Sequence, residues 1–190
     1  MSEHVGVIRW TRAVSLALAC PLAWTLAGAT AFDICGVIPS SAIESAQGAP
    51  VLSTKSSQRE TGGLTIAHCY YMLANQAQSV SLEVTLPGSE AATRSHPRQY
   101  WRTHFGRDRE IGEGEAREQE RDASASVSGL GREALFEGNG PVGALYVLDG
   151  DRFLRISIGS SADPASRVEK SKALARAALA GLAKRRRNDR

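Results

Sequence analysis

Chemically specialised residues are scarce in this chain. Three cysteines and four histidines are spread over 190 residues, and none stands in a CxxC, HxH or HExxH spacing, so no zinc or redox motif is written into the sequence. His68 and Cys69 are adjacent, which on a strand puts them on opposite faces. The chain has no G-x-S-x-G and no S-x-x-K, the usual signatures of an activated serine. Carboxylates are dense only within about residues 89–126, where nothing points to a desolvated cleft that would tune them. No catalytic, cofactor-binding or metal-ligating residue is nominated, and no cofactor is expected. An excess of one charge is lacking too: 23 Lys and Arg stand against 20 Asp and Glu, which leaves no global electrostatic argument for nucleic acid as a partner.

Long apolar runs are also rare, and the one present is informative. Arg9 and Arg12 precede a mostly apolar stretch over residues 13–27, followed by Ala29-Thr30-Ala31. A basic start, an apolar centre and a small-x-small site describe a signal peptide over residues 1–31, cleaved before Phe32. The competing reading is an uncleaved membrane anchor through residues 13–32, a span just long enough to cross a bilayer. Lipidation at Cys20 fits less well, because Pro21 and the apolar residues after it continue a plain hydrophobic segment. Cleavage would remove Glu3, Arg9 and Arg12 and leave 21 basic and 19 acidic side chains. It would also leave Cys35 and Cys69 as the only thiols of an exported chain, where an even pair implies a disulfide. The expected location is the periplasm or the exterior.

The full chain, 42% hydrophobic and 23% charged, has the make-up of one ordinary domain, which falls over residues 32–184. Ser40 or Ser41, with Glu44 three residues after Ser41, predicts a capped short helix ending near Ala46. Residues 47–62, rich in Ser, Gly and charge, read as a loop or a loosely paired edge. Residues 63–74 and 79–86 predict strands. In the second, Val80, Leu82, Val84 and Leu86 alternate with Ser81, Glu83 and Thr85, which are expected to face water. Residues 89–126 form a charged insertion, and residues 185–190 a basic tail.

The best-defined stretch is residues 142–158, two apolar strands joined at Asp149-Gly150, a pair that suits a type I′ hairpin turn. That register puts Leu145 opposite Leu154 and Tyr146 opposite Phe153, with Leu145, Val147, Leu154, Ile156 and Ile158 on one apolar face. Ahead of it, Gly129-Leu130-Gly131-Arg132-Glu133-Ala134 matches G-x-G-x-x-A in form. The dinucleotide fingerprint needs a long helix next, however, and Gly138, Gly140 and Pro141 forbid one, so a glycine-rich turn is the better reading. Asp163-Pro164 starts a final helix, with Val168, Ala175, Ala178, Leu179 and Leu182 on one side, Leu174 at its edge and a cationic end that suits the helix dipole.

Within the insertion, helical spacing would stack Tyr100 on His104 and Trp101 on Phe105, giving an aromatic face among arginines. Either that face packs on the sheet, or Tyr100, Trp101, Arg102 and Phe105 form a groove for a partner, as Tyr, Trp and Arg do at interface centres. The basic tail reads first as a solvated helix end; the other readings are contact with anionic lipid, as the signal peptide makes in transit, with an envelope polymer or with nucleic acid, the last being the least expected of an exported chain.

Three features together resemble a family of bacterial exported domains and lipoproteins of unknown function. They are Cys35 before an apolar patch and short helix, Cys69 followed by Tyr70, and Gly129-Leu130-Gly131-Arg132-Glu133-Ala134 before a strand pair turning at Gly150-Asp151 and an Ala/Leu-rich helix. The resemblance implies an α+β fold and an envelope location, and no activity. The residues themselves predict an antiparallel sheet of about five strands with the N- and C-terminal helices packed on one face. The function expected is that of a non-enzymatic envelope or periplasmic protein binding a partner or ligand; the alternative is a small periplasmic hydrolase whose site forms only in three dimensions.

Overall fold

Seven strands among the described residues pair into one antiparallel sheet, in the order β1-β2-β3-β7-β6-β5-β4. The computed structural model describes residues 32–90, 95–106, 124–138, 143–159 and 163–188. The proposed signal peptide and most of the charged insertion therefore lie outside the described residues. The elements run α1 (Ser40–Gln47), β1 (Val51–Thr61), β2 (Leu64–Leu73), a 3₁₀ turn (Gln76–Gln78), β3 (Val80–Pro87), α2 (Pro97–Phe105), β4 (Ser124–Ser126), β5 (Glu133–Glu137), β6 (Ala144–Asp149), β7 (Arg152–Ile158) and α3 (Pro164–Asn188). The α+β class is as expected. The strand number is not: seven replace about five, because residues 51–61 form a full edge strand and the short β4 is added beyond β5. The sheet is two meanders, β1-β2-β3 and β4-β5-β6-β7, joined where β3 lies against β7.

Alternation decides the faces. Ala67, Cys69, Tyr71, Leu82, Val84, Leu145, Val147, Leu154 and Ile156 point to one side and form a single core with Ile43 of α1 and Leu174, Ala175, Ala178 and Leu182 of α3. Both terminal helices thus cover one face. Leu174, placed at the edge of the helix by its spacing, is buried in the middle of the contact, while Val168 and Leu179 are half-buried. The long helix starts as expected, with the Asp163 carboxylate accepting from the Ser166 N–H at 3.0 Å. It runs on to Asn188, so Arg185, Arg186 and Arg187 of the basic tail belong to its last turn.

Cys35 and Cys69 form a disulfide with their Cα atoms 5.2 Å apart. It ties the segment before α1 to the middle of β2, and the Tyr71 hydroxyl donates to the Cys35 carbonyl at 3.0 Å beside it. The cap of α1 differs from expectation. Pro39 precedes the helix with no side-chain cap, and Glu44 accepts instead from the Val51 N–H at 3.0 Å, linking the helix to β1. Gly48 closes the helix in the left-handed region (φ 73°), its N–H bonded to the Glu44 carbonyl at 2.7 Å.

The β6–β7 hairpin is displaced by two residues from the predicted register. Asp149 pairs with Arg152, Leu145 with Ile156, Tyr146 with Arg155 and Leu148 with Phe153. Gly150 and Asp151 are the central residues, and only Gly150 has positive φ, at 65°, which is the pattern of a type II′ turn. Asp149 is spent on an ion pair with Arg152 at 2.6 Å rather than on the turn. A slip of two preserves the faces, so the apolar set is the one expected. Thr85, expected in water, is 1% exposed, because α2 covers that end of the second face.

Candidate functional site

The second face carries its own apolar cluster. Trp101, Leu148 and Phe153 are buried together, with Phe105, Leu135 and Tyr146 packed around them. Sequence spacing brings about the pairs inside α2, Tyr100 stacked on His104 at 3.7 Å and Trp101 against Phe105 at 4.9 Å. The sheet supplies the rest: Phe153 lies 5.7 Å from Tyr100 and 5.9 Å from Trp101, and Tyr146 lies 4.9 Å from Phe105. The helix is bolted to the hairpin tip at its first turn, where Arg98 donates to the Gly150 carbonyl at 3.1 Å and His96 meets Asp151 at 3.2 Å.

Between α2 and the glycine-rich turn lies a cleft of about 780 Å³, walled by Trp101, Arg102, Phe105 and Gly106 on one side and residues 126–135 on the other. Trp101 is 1% exposed and fixes the near wall, its indole N–H donating to Glu133 Oε2 at 2.9 Å. The far wall is built by backbone chemistry. Gly129 and Gly131 adopt φ 77° and 53°, Leu130 between them plugs into the main core, and the turn is pinned by Val127 N–H to the Ala134 carbonyl (2.9 Å) and Arg132 N–H to the Leu148 carbonyl (2.7 Å). Only glycine fits at 131, since a Cβ there would strike the Leu148 carbonyl oxygen. A strand, β5, follows this turn instead of a helix, so the glycines serve a turn and not a dinucleotide.

Two cations and one carboxylate line the cleft. Arg102 and Arg132 are both exposed on its walls, and neither guanidinium has a carboxylate partner among the described residues. The Glu133 carboxylate accepts from the neutral Trp101 indole and keeps its charge, so the two guanidinium groups exceed it by one. The N–H groups of Gly129, Leu130 and Gly131 also have no acceptor among the described residues, and successive N–H groups in such turns form concavities that hold anions. Two planar guanidinium groups are suited to carboxylate or phosphate.

Of the four residues nominated for partner binding, then, Arg102 and Phe105 line the cleft with reachable surface. Trp101 is a buried support, and Tyr100, 39% exposed, stacks on Phe153 away from the cleft lining. Arg132 and the Gly129–Gly131 backbone were not nominated. The signal for them is the arginine that directly follows a Gly-Leu-Gly turn.

A second polar arrangement lies on the same face, beyond α2. His68 Nε2 and Ser81 Oγ are 2.7 Å apart, with Glu83 opposite His68 in the ladder and Arg59 3.9 Å from Glu83. No third group orients His68 among the described residues, so the pair lacks a part that activates a serine. Among the described residues no group of three His, Cys, Asp or Glu is placed to hold a metal ion, and no helix is long and apolar enough to cross a membrane. The disulfide fits an extracellular environment. Compared with known proteins, the chain matches no family model and no curated protein.

Proposed function

We propose that this protein is a non-enzymatic component of the cell envelope or periplasm that binds an anionic ligand, or an acidic segment of a partner, in the cleft between α2 and the glycine-rich turn. The observation that carries this reading is the pair of guanidinium groups, Arg102 and Arg132, on opposite walls of the cleft and without a carboxylate partner among the described residues. Export rests on the basic-apolar-small pattern of residues 1–31 together with the disulfide, and the resemblance to exported domains of unknown function points the same way. The competing reading, a small hydrolase, would run through His68 and Ser81.

Titrating the ¹⁵N-labelled chain with inorganic phosphate and, separately, with a short oligoglutamate peptide tests the cleft. Saturable shifts centred on Gly129, Gly131 and the Arg102 and Arg132 side chains are expected, with Arg132→Gln weakening binding by roughly tenfold, as loss of one charge-assisted bond implies. Shifts that never saturate, or that centre elsewhere, would overturn the assignment. Ester or amide hydrolysis that disappears in Ser81→Ala would establish the enzyme instead.

A further inference from the structure

We infer that the outer side of α3, with the groove it forms against the start of α1, is a docking surface for a bilayer rich in anionic phospholipid. Residues 170–187 contain seven Lys and Arg and no Asp or Glu, whereas the whole chain carries a net charge of only +3. The rest of the molecule is therefore net negative, and the charge is polarised toward this helix.

Two of the seven cations are used internally. Lys172 pairs with Glu169 at 2.7 Å, and Arg185 pairs with Asp33 at 3.1 Å. Lys170, Arg176, Lys184, Arg186 and Arg187 have no carboxylate partner among the described residues. Arg176, Lys184 and Arg187 are exposed and fall at helical spacing on one stripe with Ala173 and Ala180. Helix-dipole compensation accounts for cations in the last turn only; Lys170 and Arg176 lie well before it.

The chemistry beside the cations separates lipid from nucleic acid. A groove of about 560 Å³, lined by Val37, Pro39 and Ala42 on one side and Ala177, Ala180 and Gly181 on the other, opens next to Lys184 and Arg185. Apolar surface bordered by cations suits the boundary between headgroups and acyl chains. A surface for single-stranded nucleic acid would set exposed aromatic rings among its cations for base stacking; no aromatic residue lines this groove, and the nearby Phe32 ring is stacked against Arg185.

The course of the chain agrees independently. Phe32, which directly follows the apolar N-terminal segment, packs beneath the Arg185 guanidinium, 5.8 Å from ring centre to Cζ. The chain therefore enters the domain at the cationic end, and an anchor over residues 13–32 or a signal peptide awaiting cleavage would bring that end to the membrane.

Co-sedimentation of the full chain with vesicles of phosphatidylcholine alone, and with vesicles containing roughly one third phosphatidylglycerol, provides the test. Binding to the anionic vesicles should exceed binding to the neutral ones by at least about tenfold and should fall as salt is raised. Attachment through the apolar N-terminal segment alone would show neither trend, which keeps the two apart. The triple variant Arg176→Gln, Lys184→Gln, Arg187→Gln, with folding checked by circular dichroism, should lose most of the preference. Equal binding to both vesicles, or a variant that keeps the preference, overturns the inference. Stronger binding to a DNA duplex than to anionic vesicles in direct competition overturns it in favour of nucleic acid.

Discussion

Reduction of the Cys35–Cys69 bridge gives the sharpest test of how this fold is held. The two residues are 34 apart in sequence, and the loop they close contains all of α1 and β1. Releasing such a loop in the unfolded chain restores about 12–13 cal/mol/K, or nearly 4 kcal/mol at 25 °C. Domains of this size are stable by roughly 5–15 kcal/mol, so the reduced protein should remain folded with a much smaller margin. Noncovalent contacts support that expectation: Ile34, Val37, Ile38 and Ile43 are buried in the core, Tyr71 bonds the Cys35 carbonyl, and Arg185 holds Asp33. Urea unfolding with and without a phosphine reductant, followed by tryptophan fluorescence and circular dichroism, should show a loss of roughly 3–4 kcal/mol and a melting point lower by about 8–15 °C. Reduced wild type is a cleaner comparison than a cysteine variant, because Cys69 is fully buried and its truncation would add a cavity cost. A loss below about 1 kcal/mol would refute the reasoning, and would mean that the unfolded chain already keeps the two ends together.

The glycine-rich turn predicts unequal costs for two similar substitutions. Gly129→Ala meets only open space and should lose roughly 1 kcal/mol for its left-handed backbone, whereas Gly131→Ala adds a collision with the Leu148 carbonyl and should lose at least about 2 kcal/mol; equal losses on chemical denaturation would contradict the packing described. Burial pushes the Tyr71 phenol up to about 12 from an ordinary value of 10.0. A raised value means that the stability is intact below pH 10 and is lost as the pH rises toward 12, at up to about 1.4 kcal/mol per pH unit. Tyr71→Phe should cost about 1 kcal/mol near neutrality through the lost hydrogen bond and flatten the alkaline limb, and an unchanged limb in that variant would assign it to other groups.

Elements that bury one face were legible from their residues. Strand β3, the β6–β7 pair and α3 all show the period that their packing demands, and the disulfide was expected from the two cysteines that follow residue 31. Strand β1 was legible only as one of two options, a loop or a loosely paired edge, for a physical reason. Beyond Val51 all its residues are exposed, Leu52 to 64%, so no burial pattern marks Ser53-Thr54-Lys55-Ser56-Ser57-Gln58-Arg59-Glu60 as a strand; the ladder offered by β2 makes it one. The hairpin register went astray because Asp149 satisfies two rules at once, a turn former and an ion-pair partner, and the nearby Arg152 decides between them. For the cleft, spacing along α2 foretold the stacked pairs but not which side of the helix meets the sheet. That choice follows from Phe153 and Tyr146, some fifty residues away, and it turns Trp101 from a candidate anchor into a support.

The seam between β3 and β7 governs how the protein folds and how it can vary. Every other strand pairing joins neighbours in sequence, so each meander can zip locally on a fast timescale, while the seam must wait for residues 80–85 to find 153–158. That search sets the contact order of the domain and, with it, the slow step of folding. The charged stretch between α2 and β4 enters this step mainly through the logarithm of its length, and doubling a flexible loop costs about 0.6 kcal/mol. The charged stretch after α2 is therefore the place where this architecture can lengthen, shorten or exchange sequence with little effect on the sheet.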